Sequence, residues 1–164
     1  GLGDVYKRQV YMKTSFFVPI EAAPKGSKVA FQTKNGKIAM RESSKQVKPF
    51  MEAFGRVAIA EGLTPVRGPI CLDVVFVRKA KKNMPKTYIP FVTTLPDVDK
   101  QLRSVLDALT GIAYYDDGQV VMARGCKVYP SEYFPYPGTH ITITAGKDVP
   151  EWLGQYSANK KPNF

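Results

Sequence analysis

The segment at residues 98–110 constrains the fold most strongly, because its pattern predicts an amphipathic helix with a defined end. Its apolar residues recur about every 3.6 positions and therefore share one face: Val98, Leu102, Val105, Leu106 and Leu109. Gly111 follows directly, and glycine commonly ends a helix. A helix with one apolar face must bury that face against another element, so we expect a sheet beside it.

The other predicted elements are mainly strands. Runs rich in β-branched and aromatic residues predict strands at 15–20, 29–33, 37–41, 69–77, 119–128 and 139–144. The Asn-Gly pair at 35–36 predicts a hairpin. A second helix is expected from about Lys48, with Ser43 or Ser44 as its cap and Gly62 at its end. This order predicts one small α+β domain with a mostly antiparallel mixed sheet and two main helices.

The two ends of the chain are set apart from this domain. Residues 1–11, "GLGDVYKRQVY", open without Met and resemble translated adaptor sequence, so we treat them as a non-native leader. We expect the domain to span 12–148 and a mixed tail to occupy 149–164. No apolar run approaches the ~20 residues that a membrane helix needs, so we expect no membrane partner.

The charge balance favours a polyanionic partner. The chain has 24 Lys and Arg against 14 Asp and Glu, a formal net charge of +10. Nucleic acid is the commonest partner of such proteins, although a solubilising surface is the alternative. Cys71 and Cys126 are expected to be buried free thiols, and His140 to be structural. These residues are too few for a zinc site or a disulfide framework.

Acidic residues nevertheless concentrate around the predicted helix. Asp97 is placed to cap its start and Asp99 lies in its first turn, whereas Asp116 and Asp117 follow it. If the short segment 111–115 retraces the helix, Asp97, Asp99 and Asp117 converge. Three such carboxylates need a cation, and oxygen ligands favour Mg²⁺ or Mn²⁺. The alternative is ordinary helix capping, ion pairing and an Asp-Asp-Gly turn.

Two further features border this constellation. Asp99, Arg103 and Asp107 follow one another along one helix face, which we expect to lie at the edge of the core and to be partly shielded from water. The alternative reading of the acidic stretch pairs Arg103 with these two aspartates. Residues 78–96 form a long basic segment with several prolines, which we expect to order on binding.

The order of these fixed elements resembles the RusA-type Holliday junction resolvases. The matching residues run in the family's order from the D-x-D pair to the strand that ends in Lys: Asp97, Asp99, Asp107-Ala108-Leu109, Gly111, Asp116-Asp117, Gln119-Val120 and Lys127. "PKGSKVAF" at 24–31 also resembles the family's N-terminal loop and strand. The resemblance covers most of the chain from Met12 to about Thr144.

This resemblance implies a homodimeric, Mg²⁺-dependent endonuclease that nicks four-way DNA junctions symmetrically, in recombination and repair in the cytoplasm of a bacterial or phage-infected cell. Asp97, Asp99 and Asp117 would bind the metal, and Asp116 ranks lower. Arg103 stands where the family has a catalytic Lys, so it would serve as the charge beside the phosphate. The basic residues expected to bind DNA are Lys25, Lys28, Lys79, Lys81, Lys82, Lys86, Lys100 and Lys127.

Two departures from the family pattern keep an alternative open. Lys100 replaces an Asn, and Arg103 keeps the charge of the family's Lys but does not readily give up a proton. A DNA-binding protein of the same fold that cuts poorly or not at all is therefore the second hypothesis. A basic RNA-binding module is a more distant third, because the chain lacks an RNP pattern of stacked aromatics.

Overall fold

A computed structural model of the protein describes residues 12–26, 28–42, 45–84 and 90–146. Eight main elements occur in the predicted order: β1 Met12–Val18, β2 Lys28–Gln32, β3 Ile38–Glu42, α1 Val47–Ala60, β4 Ile70–Val77, α2 Val98–Leu109, β5 Val120–Val128 and β6 Gly138–Ala145. A short 3₁₀ turn at Asp117–Gln119 precedes β5. The predicted single α+β domain with two main helices is confirmed.

The main sheet has four strands in the order β1-β6-β4-β5. β6 pairs antiparallel with both β1 and β4, whereas β4 and β5 are parallel, with Val77 opposite Val128. The mixed, mostly antiparallel character is therefore as expected. The parallel pair is joined through α2, and such a crossover fixes which end of the helix meets which end of the strands.

One apolar core joins the two helices to this sheet. It contains Phe50, Phe54 and Ala58 of α1, Val105, Ala108 and Leu109 of α2, Ile70, Leu72, Val74 and Phe76 of β4, and Ile141, Ile143 and Ala145 of β6. The stripe predicted on α2 faces this core, with Val98, Leu102 and Leu106 partly buried at its margin. At Gly125 of β5, an added Cβ would lie 3.0 Å from Leu102. The missing side chain therefore lets α2 pack closely on β5.

β2 and β3 form a separate two-stranded sheet, with Phe31 opposite Ala39. Its turn is closed by hydrogen bonds from the Thr33 amide to the Lys37 carbonyl, 2.8 Å, and from the Gly36 amide to the Thr33 carbonyl, 2.9 Å. Gly36 has a φ of +75°, which glycine adopts without strain. The hairpin predicted from Asn-Gly is confirmed.

Several boundaries differ from those predicted. β1 runs from Met12 to Val18 rather than over 15–20, because its seven residues pair with β6 and the chain turns at Ile20. The N-cap of α1 is Gln46 rather than a serine, while Gly62, with a φ of +79°, follows the helix as predicted. Residues 1–11, 43–44 and 149–164 lie outside the described residues. Among the described residues, neither helix is long and apolar enough to cross a bilayer.

Candidate active site

The amino end of α2 lies at the carboxyl ends of the parallel strands β4 and β5. The chain leaves β4 at Val77, returns along α2 in the opposite direction, and enters β5 at Val120. Asp97 is the N-cap of α2, as predicted, but its carboxylate makes no capping hydrogen bond. Asp99 lies in the first turn. Ligand sites commonly form at this end of parallel strands.

Two cations hold the turn that leads into α2. Lys127 Nζ, from the end of β5, donates to the carbonyls of Thr94 and Pro96, both at 2.8 Å. The guanidinium of Arg78, just past β4, donates to the carbonyl of Leu95. We call Arg78 and Lys127 the carbonyl clamp. Because it grips three consecutive carbonyls directly before the first candidate carboxylate, it fixes where α2 presents its acidic residues.

The carboxylate of Asp97 already has a cationic neighbour. Lys100 Nζ lies 3.4 Å from Asp97 Oδ2, an ion pair within the first turn of α2. Asp97 and Asp99 are both exposed. A metal ion bound at Asp97 would therefore compete with the ammonium group of Lys100 for the same oxygen.

The loop at residues 24–26 contacts the side of α2 that faces away from the core. Lys25 donates its backbone N–H to the Lys100 carbonyl, 3.0 Å, and its ammonium pairs with Asp107. A Cβ added at Gly26, whose φ is +104°, would lie 2.9 Å from Arg103 Nη1. The loop can therefore approach the Arg103 side chain closely only because residue 26 is glycine.

The expectation that Asp99 and Arg103 are partly shielded is wrong, because both are exposed. The buried side of α2 centres on Gln101, Val105 and Ala108, which places Arg103 nearly opposite the core. The alternative reading pairs Arg103 with Asp99 and Asp107. Within the described residues, Asp107 pairs with Lys25 instead.

The segment at 111–115 does not retrace α2. The Gly111 amide donates to the Tyr114 carbonyl, 2.7 Å, and the Tyr114 hydroxyl donates to the Leu106 carbonyl, also 2.7 Å. These bonds fold the segment into a tight turn against the last turn of the helix. Burial raises the pKa of the Tyr114 phenol, and the charge of Asp117 raises it further. Asp117 comes two residues after this segment, which places it near the carboxyl end of α2.

The acidic pair is anchored at the amino ends of the parallel strands. Asp116 Oδ1 accepts from the Gly118 amide at 2.7 Å, so this carboxylate shapes the turn. Gln119 Oε1 accepts from the Asp116 amide at 3.1 Å, while its Nε2 donates to the carbonyls of Val66 and Gly68. Val66 and Gly68 directly precede β4. Asp116 and Asp117 are both exposed, so burial does not distinguish them, and the ranking of Asp117 above Asp116 stays a prediction.

Asp97 and Asp99 are therefore separated from Asp117 within one copy of the chain. They lie at opposite ends of the eight-residue strand β4, which spans about 25 Å at ~3.3 Å per residue. Among the residues that the structure describes, no three Asp, Glu, His or Cys side chains lie close enough to hold a metal ion. The predicted convergence within a single chain is wrong, because a tight turn replaces the extended return.

The predicted DNA-binding lysines fall into two groups. Those whose side chains are exposed are Lys28, Lys79, Lys81 and Lys82. Lys79, Lys81 and Lys82 follow the carboxyl end of β4, the end of the sheet at which α2 begins. Lys25, Lys100 and Lys127 instead engage Asp107, Asp97 and backbone carbonyls, as described above. Lys86 lies outside the described residues.

Sequence reasoning missed Arg78, which stands directly before the chosen lysines. Its contact with Leu95 depends on how the segment after β4 folds back, so no local pattern marks it. Lys127 is predicted from the sequence to bind phosphate, whereas in the structure it donates to backbone carbonyls. The sequence signal for this role is that Lys127 lies at the end of a predicted strand. In the structure that strand pairs with β4, which ends at Val77.

The remaining candidates are the histidine and the two cysteines. His140 is held between the rings of Phe17 and Phe134, at centroid distances of 4.4 and 4.9 Å, consistent with the structural role expected of it. Cys71 is buried, and burial raises the pKa of its thiol. Cys126 is exposed, so the expectation that it is buried is wrong. It lies on β5, the edge strand of the sheet, where less of the chain covers it.

Comparison with known proteins identifies a family for this chain. The family described as Endodeoxyribonuclease RusA matches residues 7–144. A protein of Bacillus subtilis (strain 168) named "Uncharacterized protein YqaN" is 34% identical over 122 residues, which cover 68% of this chain and 82% of that protein. A small α+β domain matched over this length to a DNA endonuclease family is a nuclease by class. The chain belongs to the RusA endodeoxyribonuclease family.

Proposed function

We propose that the protein nicks branched DNA, with the four-way junction as its principal substrate, in a reaction that depends on Mg²⁺ or Mn²⁺. The observation that carries this proposal is the position of Asp97 and Asp99. The carbonyl clamp holds Asp97 and Asp99 at the carboxyl end of β4. The exposed Lys79, Lys81 and Lys82 follow that same end of the strand. Carboxylates set among cations that can hold a phosphate backbone suit metal-assisted phosphodiester hydrolysis.

Within the described residues, a single copy does not bring Asp97, Asp99 and Asp117 together, because Asp117 lies about a strand length from the other two. We propose that two copies complete it, with Asp97 and Asp99 from one and Asp117 from the other. Asp99 and Asp117 are exposed, so both can face a second copy. A two-fold homodimer would also place two equivalent sites on a junction, as symmetric nicking requires.

The chain's own residues would have distinct tasks in this site. A bound Mg²⁺ supplies a water of lowered pKa and neutralises charge on the phosphate. Arg103, exposed beside Gly26, would hold a phosphate oxygen through its guanidinium. Lys79, Lys81 and Lys82 would bind the backbone, and the clamp would keep α2 in place. We place this activity in DNA recombination and repair in the cytoplasm of a bacterial or phage-infected cell.

One observation favours a second candidate function, that of a junction-binding protein with attenuated cleavage. Lys100, which replaces the family's Asn, forms an ion pair with Asp97 at 3.4 Å. An ammonium group at this position weakens the attraction of the site for a divalent cation. DNA binding would survive this change, whereas cleavage would need a higher metal concentration.

The test is cleavage of a labelled mobile four-way junction by the purified full chain, with and without Mg²⁺. We expect paired nicks at symmetric positions only when the metal is present, little cutting of a linear duplex, and loss of nicking in Asp97→Asn. A chain that binds the junction but produces no nicks at any Mg²⁺ or Mn²⁺ concentration would favour the attenuated form. Equal affinity for junction and linear duplex would contradict junction selectivity.

A further inference from the structure

The hairpin β2–β3 stands apart from the sheet that carries the candidate active site. Within the described residues, its strands pair only with each other. Ile38 is 80% exposed, Met40 is 64% exposed and Phe31 is 41% exposed. Ile38 and Met40 are two residues apart on β3 and therefore point from the same face of the ribbon. Neighbouring exposed apolar side chains on a projecting element are typical of an interaction surface.

The charge of the hairpin decides which partner fits it. Its basic residues outnumber its acidic ones: Lys28, Lys34, Lys37 and Arg41 against Glu42. Lys34 lies in the tight turn and Lys37 directly follows it, and the Arg41 guanidinium lies 5.5 Å from the centre of the Phe31 ring. A second copy of this ribbon would bring like charges together. A polyanion would instead be attracted to the tip while leaving the apolar residues free to make contact.

The dimensions of the ribbon also suit DNA. A two-stranded β-ribbon fits the major groove, which is about 12 Å wide. Apolar side chains such as Ile and Met can also pack between base pairs where stacking is interrupted, as in proteins that kink DNA. A branch point offers such interrupted stacks, whereas a continuous linear duplex does not.

We propose that the hairpin β2–β3 recognises the DNA branch point. Lys34 and Lys37 contact backbone phosphates, and Ile38 and Met40 pack against the exposed base pairs at the crossing. The choice of DNA as partner rests on the proposed function. The recognition role itself is separate from the carboxylates of α2, so it can be measured without cleavage.

The test measures binding of the full chain in EDTA, with 2-aminopurine placed beside the branch point of a four-way junction. We expect wild-type binding to raise the 2-aminopurine fluorescence severalfold. Ile38→Ser combined with Met40→Ser should abolish this rise and weaken junction binding about tenfold, with linear-duplex binding within twofold of wild type. Ile59→Ser, at a 62% exposed position on α1, is the matched control and should bind like wild type.

A second variant keeps the test independent of those apolar substitutions. Lys34→Gln with Lys37→Gln should lower the slope of log affinity against log salt concentration by about two, because each lost phosphate contact removes about one. Lys48→Gln with Arg56→Gln, which removes the same charge from α1, should reduce the slope less. Hairpin variants with wild-type fluorescence, junction affinity and salt slope would overturn the inference.

Two further outcomes also count against the inference. A loss of dimer in the Ile38 and Met40 variant, with junction affinity per dimer intact, would assign the surface to a second copy. A wild-type chain that binds neither junction nor duplex would overturn the proposed function as well. Hairpin variants that bind like wild type would overturn this inference alone.

Discussion

His140 shows how a single environment sets a measurable pH response. Burial between two aromatic rings lowers the pKa of its imidazole below the ordinary value of 6.5, and within the described residues its Nε2 has no hydrogen-bond partner. The unfolded chain therefore binds this proton more readily than the folded one. The resulting stability is fully present above the unfolded value of 6.5 and is lost as pH falls through and below it.

We therefore expect the free energy of unfolding to fall as pH is lowered from 8 to 5, and to fall less in His140→Phe. Phenylalanine keeps an aromatic ring between Phe17 and Phe134 but cannot titrate. Urea unfolding of both proteins at each pH measures the difference. Parallel stability curves for wild type and variant would show that His140 does not contribute to the pH dependence.

Lys100 and Arg103 allow the second prediction at this scale. Removing the ammonium group 3.4 Å from Asp97 should strengthen divalent-metal binding, by about threefold for a partly exposed pair. In Lys100→Asn, the Mg²⁺ concentration for half-maximal nicking should fall accordingly, and adding Arg103→Lys should raise the maximal rate. Lys48→Asn, which removes an exposed charge from α1, is the control. An unchanged Mg²⁺ dependence in Lys100→Asn would refute competition at Asp97.

At the scale of elements, the carbonyl clamp links the ends of β4 and β5 to the start of α2. Lys127→Met would leave two carbonyls without their charged donor, which costs on the order of 2 kcal/mol of stability. A shift of about 1 Å at a catalytic group can cost about 100-fold in rate. We expect nicking at saturating DNA to fall about 10- to 100-fold, with junction affinity within twofold of wild type.

Lys81→Met is the matched comparison, because Lys81 is exposed at the same end of the sheet as Lys127. It should weaken binding severalfold and lower the salt slope by about one, while leaving the rate at saturating DNA unchanged. Lys127→Arg should recover part of the lost rate. If Lys127→Met instead lowers affinity and spares the rate, Lys127 contacts phosphate and the clamp does not position the site.

Local patterns predicted these elements well, whereas their connections depended on contacts distant in sequence. The stripe on α2, the Asn-Gly hairpin and the glycine after each helix are set by neighbouring residues, and each is confirmed. The path of 111–115 depends on Tyr114 reaching back to Leu106 and on Val66 meeting Ala113. The length of this segment is compatible with both an extended return and a tight turn, so chain length alone does not select between them.

In the candidate site, too, local patterns predict the elements but not the contacts between residues distant in sequence. Asp97 and Asp99 at the start of α2 follow from the helix pattern alone. The pairing of Lys25 with Asp107 and the grip of Lys127 on residues 94–96 require the register of distant segments. Basic residues therefore looked alike in the sequence, although the structure gives some of them structural partners and leaves others exposed.

At the scale of the whole molecule, the candidate carboxylates form two separate sets. Asp97 and Asp99 lie at one end of the β4–β5 pair and Asp117 at the other, about 25 Å away along the strands. Under the proposed function, each set of carboxylates supplies part of one metal site. A two-fold dimer can join the unlike halves twice, which would couple dimerisation to cleavage and give paired nicks.

Mixing two inactive variants tests this claim most directly. Asp97→Asn and Asp117→Asn should each bind a four-way junction without nicking it in Mg²⁺. If the sites form between copies, a mixed dimer contains one site with both substitutions and one intact site. We predict that co-refolded variants recover nicking, with a single nick per binding event and up to about a quarter of wild-type activity. If the mixture stays inactive while mixed dimers are shown to form, each site lies within one copy and the account is wrong.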